Sequence, residues 1–381
     1  MAAAGKIKIR FINSLDKIKG LSREEKKHLK PVCDKYAFKT NHYYLSLIDW
    51  NDPDDPIRRL VIPHAKEMDT WGRLDPSKEA SYTKIPGLQH KYGSTALFLV
   101  SETCGSICRY CFRKRIFMKG KEGVLTDYKA ALKYVREHRE ITNILLTGGD
   151  PLMLSTPKLE KIISGLREIG HVKIIRLGTK MPAFYPYRVL DDPSFIKMIK
   201  KYSMKDRRIY IITHFNNVKE LTQPALRAVD KLLKAGAIIA NQTPLIRGVN
   251  DSPKELAKLL DRLSFAGVPP YYVFQCRPTL ANKDYAVPIE EGYDIYEKAR
   301  SVVSGLAKRA RFAMSAAKGK IHIIGKTPDE MILKYYRAAR DKDSGRIIMV
   351  KRNPKAYWID DYKEIKKDAP LFREFEHTGV Y

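Results

Sequence analysis

The sequence has few cysteines, few acidic residues for its number of basic ones, and no long apolar run without charge. No segment of the 381 residues approaches the roughly 18 consecutive apolar residues that a membrane-spanning helix needs. The N-terminal sequence MAAAGKIKIR lacks the apolar core of a signal peptide. The five cysteines do not fit a secreted disulfide framework, because their number is odd and three of them lie in one short stretch. These absences predict a cytoplasmic protein with no membrane partner.

The shortage of acidic residues leaves a large positive charge. The chain has 71 lysines and arginines against 43 aspartates and glutamates, a formal net charge of +28. Such a charge can attract phosphates, RNA or acidic ligands. Here it is spread over helix-like segments such as 23–30 and 363–370, without an RNA-binding consensus or a basic tail. A nucleic acid is therefore not the favoured partner.

Strand-like and helix-like segments alternate through the middle of the chain. Six short apolar segments lie at 97–101, 143–147, 173–178, 209–213, 237–243 and 270–276. Each is continuously apolar, as expected for a strand that is buried on both faces. The helices between them have N-terminal signals: Thr156 is a predicted N-cap, and Ser252 with Glu255 forms a predicted capping box. The alternation predicts an α/β fold, either a partial (β/α)6 TIM-like barrel or a doubly wound open sheet.

The same pattern predicts three parts of the chain. Residues 1–95 are expected to be mostly helical and to pack across the open side of the barrel, and residues 96–308 to form the (β/α)6 core. Residues 309–381 form a small extension, with strand-like segments KIHIIG, RIIMVKR and KAYWIDDY. Reactive residues are expected in the loops that follow the strands, at the C-terminal face of the barrel.

The cysteines are concentrated in SETCGSICRYCFRKR, residues 101–115, directly after the first core strand. Cys104, Cys108 and Cys111 have the spacing C-x3-C-x2-C. A structural zinc site normally needs four ligands, so it would require a distant residue such as Cys276. A [4Fe–4S] cluster fits better, because three thiolates bind three irons and the fourth iron stays open for another ligand. The neighbouring arginines would offset the negative charge of the thiolates.

This motif resembles the signature of the radical S-adenosylmethionine (SAM) superfamily. The segment NILLTGGDPLM (143–153) is similar to the glycine-rich segment that follows the second strand in that superfamily. The resemblance implies that the three cysteines bind a [4Fe–4S] cluster. It also implies that Gly148, Gly149 and Asp150 contribute to the SAM site.

Further segments resemble one family, lysine 2,3-aminomutase. They are YYLSLIDWNDPDDPIRRLVIP, PGLQHKYGSTALFLV, THFNN, ANQTPLIRGVND and PYYVFQC. The resemblance implies an isomerase that moves the α-amino group of an amino acid to the β-carbon by means of a 5′-deoxyadenosyl radical. It implies SAM and pyridoxal phosphate (PLP) as further cofactors, and a reducing partner such as ferredoxin or flavodoxin.

The resemblance assigns roles to individual residues. Arg113 matches the arginine that pairs with the substrate carboxylate, and Lys91 with Tyr92 matches a pair near the PLP phosphate. The ends of the fourth and fifth strands line the SAM and PLP site, which places His214, Asn241 and Gln242 there. In RFAMSAAKGKIHIIGKTP (311–328) the best match to the PLP lysine is Lys320, with Lys318 and Lys326 as alternatives.

Two positions in the substrate pocket differ from the lysine enzymes of the family. Arg277 and Ser315 stand where those enzymes have aspartates that hold the substrate ε-ammonium group. An arginine would repel that group unless it turns outward. The substrate is therefore predicted to be an acidic or polar amino acid, glutamate first, and not lysine. The chain also lacks the cysteine-rich tail that helps the lysine enzymes associate, so a homo-oligomer is possible but not implied.

Two other functions fit the sequence. One is a radical SAM enzyme without PLP that modifies an RNA or a protein side chain. The other is a noncatalytic iron–sulfur or zinc-binding protein.

Overall fold

The computed structural model describes residues 9–118 and 123–363. The α-helices are α1 (Arg23–Lys35), α2 (His42–Leu45), α3 (Pro56–Val61), α4 (Tyr128–Glu137), α5 (Thr156–Arg167), α6 (Met181–Phe184), α7 (Tyr187–Leu190), α8 (Pro193–Tyr202), α9 (Gln223–Lys234), α10 (Pro253–Phe265) and α11 (Ile289–Ser301). The strands are β1 (Phe11–Ile12), β2 (Thr40–Asn41), β3 (Thr83–Ile85), β4 (Leu88–Tyr92), β5 (Thr95–Ser101), β6 (Asn143–Gly148), β7 (Ile174–Thr179), β8 (Ile209–Thr213), β9 (Ile238–Pro244), β10 (Pro270–Phe274), β11 (Arg311–Ala316), β12 (Gly319–Lys326), β13 (Glu330–Ala338) and β14 (Ile347–Lys351). None of the described helices has the length and apolarity that crossing a membrane requires.

One sheet of twelve described strands, β3 to β14 in chain order, organises the molecule. Strands β5 to β11 are parallel, and antiparallel strands extend the sheet at both ends. All six predicted core strands are present as β5 to β10, so the predicted α/β fold is confirmed. β11 is an additional parallel strand that the periodicity did not predict.

Local sequence explains where the core helices begin. Ser252 caps α10 as predicted, because its hydroxyl accepts a hydrogen bond from the Glu255 amide at 3.2 Å. The predicted return bond of the capping box is replaced by a contact of the Glu255 carboxylate with Lys258 at 2.9 Å. The prediction for Thr156 is wrong: Ser155 occupies the N-cap position, and the Thr156 hydroxyl donates to Asp192 at 2.7 Å. A tertiary contact thus takes the hydroxyl that the sequence offered for capping.

The N-terminal and C-terminal parts contain more strands than predicted. Residues 9–95 include α1 to α3 but also β1 to β4, of which β3 and β4 join the sheet beside β5. At the other end, β12 and β14 correspond to two of the predicted strands, and β13 lies between them in the sheet. The segment 355–362 is not a strand, because the Asp361 carboxylate accepts hydrogen bonds from the amides of Tyr357 and Trp358 at 2.8 and 3.0 Å. The last part of the predicted extension, 364–381, lies outside the described residues.

Side chains close the open side of the sheet. In the described part of the chain the edge strands β3 and β14 do not pair with each other. The Lys91 ammonium donates to the Ala316 carbonyl at 2.6 Å, the Tyr82 hydroxyl to the Ala317 carbonyl at 2.9 Å, and Arg337 to the Thr95 hydroxyl at 2.7 Å. These bonds join the first strands of the sheet to β11 and β13. They thereby enclose a cavity in the middle of the partial barrel.

Candidate active site

A cavity of about 270 Å³ brings eight of the predicted site residues together. They come from four strands, β4, β9, β11 and β12, and from the loops that follow β5, β8 and β10. The predicted residues that line it are Lys91, Tyr92, Arg113, His214, Gln242, Arg277, Ser315 and Lys320. Residues that are distant in the sequence therefore meet in one site.

The cavity is strongly cationic. Its basic side chains are Lys91, Arg113, Arg176, Arg277, Lys320 and Arg337, whereas Glu79 is the only acidic side chain among the described residues that line it. Positive groups held in a protein cavity favour anionic ligands, because few water molecules remain to screen the charges. The cavity is therefore suited to ligands that carry phosphate or carboxylate groups.

Of the three lysines considered for PLP, Lys320 is the one that faces this cavity. It lies on β12, opposite Ser315 of β11 in the strand register, and its ammonium nitrogen lies 4.6 Å from the ring centroid of Tyr272. Burial lowers the pKa of Lys320 well below its usual range, and the charges of Arg176 and Arg337 lower it further. The environment of Lys320 therefore favours the neutral amine over the ammonium form, and the neutral amine is the form that can attack a carbonyl carbon.

The two alternative lysines lie elsewhere. Lys318 lines a separate outer pocket of about 640 Å³. The ammonium of Lys326 pairs with the Asp294 carboxylate at 2.5 Å. Neither residue lines the cationic cavity.

Arg277 points inward and not toward solvent. Its guanidinium stacks 3.7 Å from the ring centroid of Phe112 and donates to the Ser77 hydroxyl at 2.8 Å. Burial lowers the pKa of Arg277 to about 10, so it remains charged at neutral pH. Arg277 therefore contributes a positive charge to the cavity wall.

Lys91 and Tyr92 lie together at the end of β4. Burial, assisted by the charge of Arg277, lowers the pKa of Lys91 to about 7. Burial raises the pKa of Tyr92 to about 12, and the Arg337 guanidinium lies 4.3 Å from the centroid of the Tyr92 ring. The Lys91 ammonium nitrogen lies 5.5 Å from the same centroid, so two basic side chains lie close to one aromatic ring.

The residues predicted at the fourth and fifth strands separate into two groups. His214 and Gln242 line the cavity, and burial lowers the pKa of His214 to about 3, so its imidazole is neutral. Asn241 does not line the cavity. Its side-chain oxygen accepts from the Phe215 amide at 2.8 Å and from the Thr213 hydroxyl at 2.9 Å. Asn241 therefore joins two neighbouring strands and has a structural role.

The three clustered cysteines lie in the loop that follows β5. Burial raises the pKa of each thiol, to about 12 for Cys108. Positive charge from Arg113 and Lys114 opposes this effect at Cys111. Thiols held in their protonated form release protons when they bind a metal.

The donor set fits a cluster better than a single ion. In the described part of the chain, no three His, Cys, Asp or Glu side chains converge closely enough to hold one metal ion. Ligands of a single zinc ion converge on one point, whereas three thiolates of a [4Fe–4S] cube each bind a different iron. Three cysteines on one loop, without a fourth convergent ligand, are therefore suited to such a cube.

The glycines of the second motif let the strand ends approach closely. Gly148 has φ +126°, and a Cβ there would lie 2.4 Å from the Ser101 carbonyl oxygen. The Gly149 amide donates to the same carbonyl at 2.6 Å. These glycines therefore hold the end of β6 against the residues that lead into the cysteine loop.

Asp150 does not line the cavity. Its carboxylate accepts hydrogen bonds from the Thr179 hydroxyl at 2.8 Å and from the Lys180 amide at 2.8 Å. Burial raises its pKa to about 6. These hydrogen bonds fix the loop after β7. Both oxygens of the Asp150 carboxylate are already acceptors within the protein, so the predicted contact of this carboxylate with SAM has no support in the structure.

Replacement of Gly148 by alanine should destabilise the protein. The side chain would meet backbone atoms and impose an unfavourable φ, so the free energy of unfolding should fall by about 1–3 kcal/mol or more. Gly170→Ala is the matched control, because a Cβ there meets nothing within 4 Å. Urea unfolding followed by circular dichroism measures both, and equal stabilities of the two variants would contradict the steric argument.

The arginines near the cysteines are largely neutralised by two buried glutamates. Arg109 pairs with Glu67 at 2.7 Å, and both side chains are nearly fully buried. Arg113 pairs with Glu79 at 2.9 Å, and Arg115 contacts the same carboxylate. Neither glutamate was predicted from the sequence, because both lie in short 3-10 segments far upstream. The charge of these arginines is thus only partly available to offset thiolates.

Comparisons with known proteins identify relatives of this chain. The model of the radical SAM superfamily matches residues 98–260. A putative L-lysine 2,3-aminomutase of Aquifex aeolicus (strain VF5) is 50% identical over 359 residues, 94% of this chain and 96% of that protein. L-lysine 2,3-aminomutase of Clostridium subterminale is 35% identical, over 84% of this chain and 75% of that protein. Glutamate 2,3-aminomutase of Clostridioides difficile (strain 630) is 34% identical, over 95% of this chain and 84% of that protein.

Long alignments at these identities establish family membership, and the superfamily match implies a [4Fe–4S] cluster and SAM as cofactors. The relatives are named as aminomutases, which are isomerases. The chain is therefore an enzyme of the radical SAM superfamily and belongs to the lysine 2,3-aminomutase family.

Proposed function

We propose that the protein is a PLP-dependent amino acid 2,3-aminomutase whose substrate is acidic or polar, with glutamate as the first choice. The observation that carries this proposal is the placement of Lys320. Its amine faces a cavity that five other basic side chains line, and burial lowers its pKa well below the usual range. A carbonyl-bearing phosphate such as PLP would find there both an amine for covalent attachment and cations for its phosphate.

Each part of the site has a task in this proposal. Cys104, Cys108 and Cys111 would hold the cluster, which supplies the electron for the radical chemistry of SAM. Lys320 would bind PLP covalently, and Lys91 with Arg337 would hold its phosphate. Enclosure of the cavity by side chains keeps water away from the reacting atoms. The protein thus contributes binding, orientation and shielding.

The preference for an acidic substrate rests on Arg277. The two curated relatives that act on lysine and on glutamate are almost equally similar to this chain, so the site residues must decide. A substrate ammonium group facing Arg277 would be repelled, whereas a side-chain carboxylate would gain charge-assisted hydrogen bonds worth roughly 1.5–3 kcal/mol each. Ser315, which also lines the cavity, can donate one more. Arg113 would meet the α-carboxylate.

Exchange of Arg277 for aspartate should reverse the preference. Wild-type enzyme is expected to rearrange glutamate in preference to lysine, and Arg277→Asp to lose glutamate turnover by about tenfold or more. Turnover of both amino acids by both proteins is the measurement. Preferred turnover of lysine by wild type, or unchanged glutamate preference in Arg277→Asp, would contradict the assignment. Ser46→Ala, an exposed residue remote from the cavity lining, controls for preparation differences.

The function itself has a direct test. Anaerobically reconstituted enzyme with SAM, a reductant and each amino acid in turn should form one β-amino acid. Bound PLP should add its absorbance band to the broad band of the cluster. A cluster without PLP would favour the enzyme that modifies an RNA or a protein side chain. Absence of both would favour the noncatalytic protein.

The reaction also needs an electron donor and a reducing compartment. We propose a small redox protein such as ferredoxin or flavodoxin as the donor, since an iron–sulfur cluster must be reduced before each SAM cleavage. We propose the cytoplasm as the location, because thiols remain reduced there.

A further inference from the structure

Glu79 makes a contact that the proposed mechanism does not use. Its buried carboxylate accepts hydrogen bonds from Nη2 of Arg113 at 2.9 Å and from Nε at 3.2 Å, and it also contacts Arg115. Burial alone would raise the pKa of Glu79, but the charges of Arg113 and Arg115 hold it far below its usual range. The carboxylate is thus ionised and fixed against one edge of the Arg113 guanidinium.

The Nη1 side of the Arg113 guanidinium faces Thr147 and not Glu79. Its Nη1 donates to the Thr147 hydroxyl at 3.2 Å. Thr147 lies near the end of β6, and its side chain, like those of Arg113 and Glu79, lines the cavity. A guanidinium has two edges that can each meet a carboxylate, and Glu79 occupies the edge that contains Nε.

We infer that Glu79 is a positioning residue for Arg113, and that Thr147 is a further ligand of the substrate α-carboxylate. Glu79 fixes the guanidinium so that Nη1, together with the Thr147 hydroxyl, meets the carboxylate. Glu79 is expected to stay in place when substrate binds, because its departure would remove the carboxylate that pairs with the buried Arg113 guanidinium. This inference rests on the proposed function and adds two residues to its substrate site.

The two possible roles of Glu79 predict opposite effects of Glu79→Gln on the affinity for an anionic ligand. If Glu79 only screened the charge of Arg113, its neutralisation in Glu79→Gln would tighten binding of an anionic ligand. If Glu79 positions Arg113, the same substitution should weaken binding of the α-carboxylate by about tenfold or more, because the guanidinium is then free to rotate. Thr147→Val, which keeps the shape and removes the hydroxyl, should also weaken it.

The experiment compares two ligands on the anaerobic holoenzyme by isothermal titration calorimetry. The probes are L-glutamate and its α-carboxamide, which lacks the negative charge at the position in question. Glu79→Gln and Thr147→Val should weaken binding of glutamate much more than binding of the carboxamide. Glu160→Gln is the matched control. It makes the same exchange in a surface ion pair with Lys201 outside the cavity lining, so it should leave both affinities unchanged.

The outcomes separate this inference from the proposed function. Tighter or unchanged glutamate binding by Glu79→Gln, or an equal loss for both ligands, overturns the positioning role. If Glu79→Gln alone fails to fold, the test rests on Thr147→Val. Unchanged glutamate binding by Thr147→Val then overturns the inference. If wild-type enzyme binds PLP and forms a β-amino acid, the proposed function is supported whatever the two variants show. Wild-type enzyme that binds no α-amino acid contradicts the proposed function itself.

Discussion

Replacement of Lys320 by alanine should abolish covalent attachment of PLP and all aminomutase turnover. The amine of Lys320 lies inside the cationic cavity, and burial together with Arg176 and Arg337 lowers its pKa well below the usual range. A neutral amine attacks a carbonyl carbon, whereas an ammonium group does not. The substitution should affect PLP binding and not the cluster, because Lys320 lies on β12 and the three clustered cysteines lie in the loop after β5. Iron content and reductive cleavage of SAM should therefore persist in Lys320→Ala.

The position of the adduct is the sharper measurement. Borohydride reduction of the reconstituted enzyme, followed by peptide mapping, should place the phosphopyridoxyl group on Lys320. Lys318→Ala and Lys326→Ala are the controls, since Lys318 lines the outer pocket and Lys326 is paired with Asp294. Both controls should retain the adduct. A phosphopyridoxyl group on Lys318 or Lys326 would refute the assignment, and absence of any adduct in wild type would refute PLP binding.

The core of the fold could be predicted because its strands contain short apolar runs. In β6, Ile144 and Leu146 are fully buried, and Leu145 between them lines the cavity. Exposure of such an apolar segment to water is unfavourable, so its sequence alone indicates a strand in the middle of the sheet. β11 has the sequence RFAMSA, with no β-branched residue. It is a strand because it pairs with β10 and β12, and that tertiary cause leaves no periodic signal in the sequence.

The cavity was predictable where its residues follow strands. His214, Gln242 and Arg277 lie at or just beyond the ends of β8, β9 and β10, so the fold class places them at one face. Arg176 and Arg337 also line the cavity but were not predicted. They lie within β7 and β13, where an arginine resembles any other solvent-facing residue of an alternating strand. Only the curvature of the sheet, which sequence periodicity does not reveal, turns both side chains inward.

The charges near the cysteines show a second limit of sequence reasoning. Arg109 and Arg113 lie beside the thiols in the sequence, which suggested that they neutralise a cluster. In the fold, Glu67 and Glu79 bind them from short segments more than thirty residues upstream. Ion pairs over such distances depend on how the N-terminal part packs on the sheet. Neither glutamate belongs to a motif that could have identified it.

Simultaneous replacement of Cys104, Cys108 and Cys111 by alanine should remove iron and inorganic sulfide from the anaerobically reconstituted protein and abolish SAM cleavage. These thiols are the donor set on the loop after β5, and the superfamily match begins at residue 98, just before them. Cys33→Ala and Cys276→Ala are the matched controls, because both residues are thiols outside the cysteine loop. Cys276 is the more stringent of the two, since it lines the cavity and is the cysteine that a four-ligand zinc site would require. Both controls should keep the cluster, measured by iron content and by the electron paramagnetic resonance signal of the reduced protein. Retention of iron by the triple variant, or loss of iron in Cys276→Ala alone, would show that the metal is held by a different set of thiols.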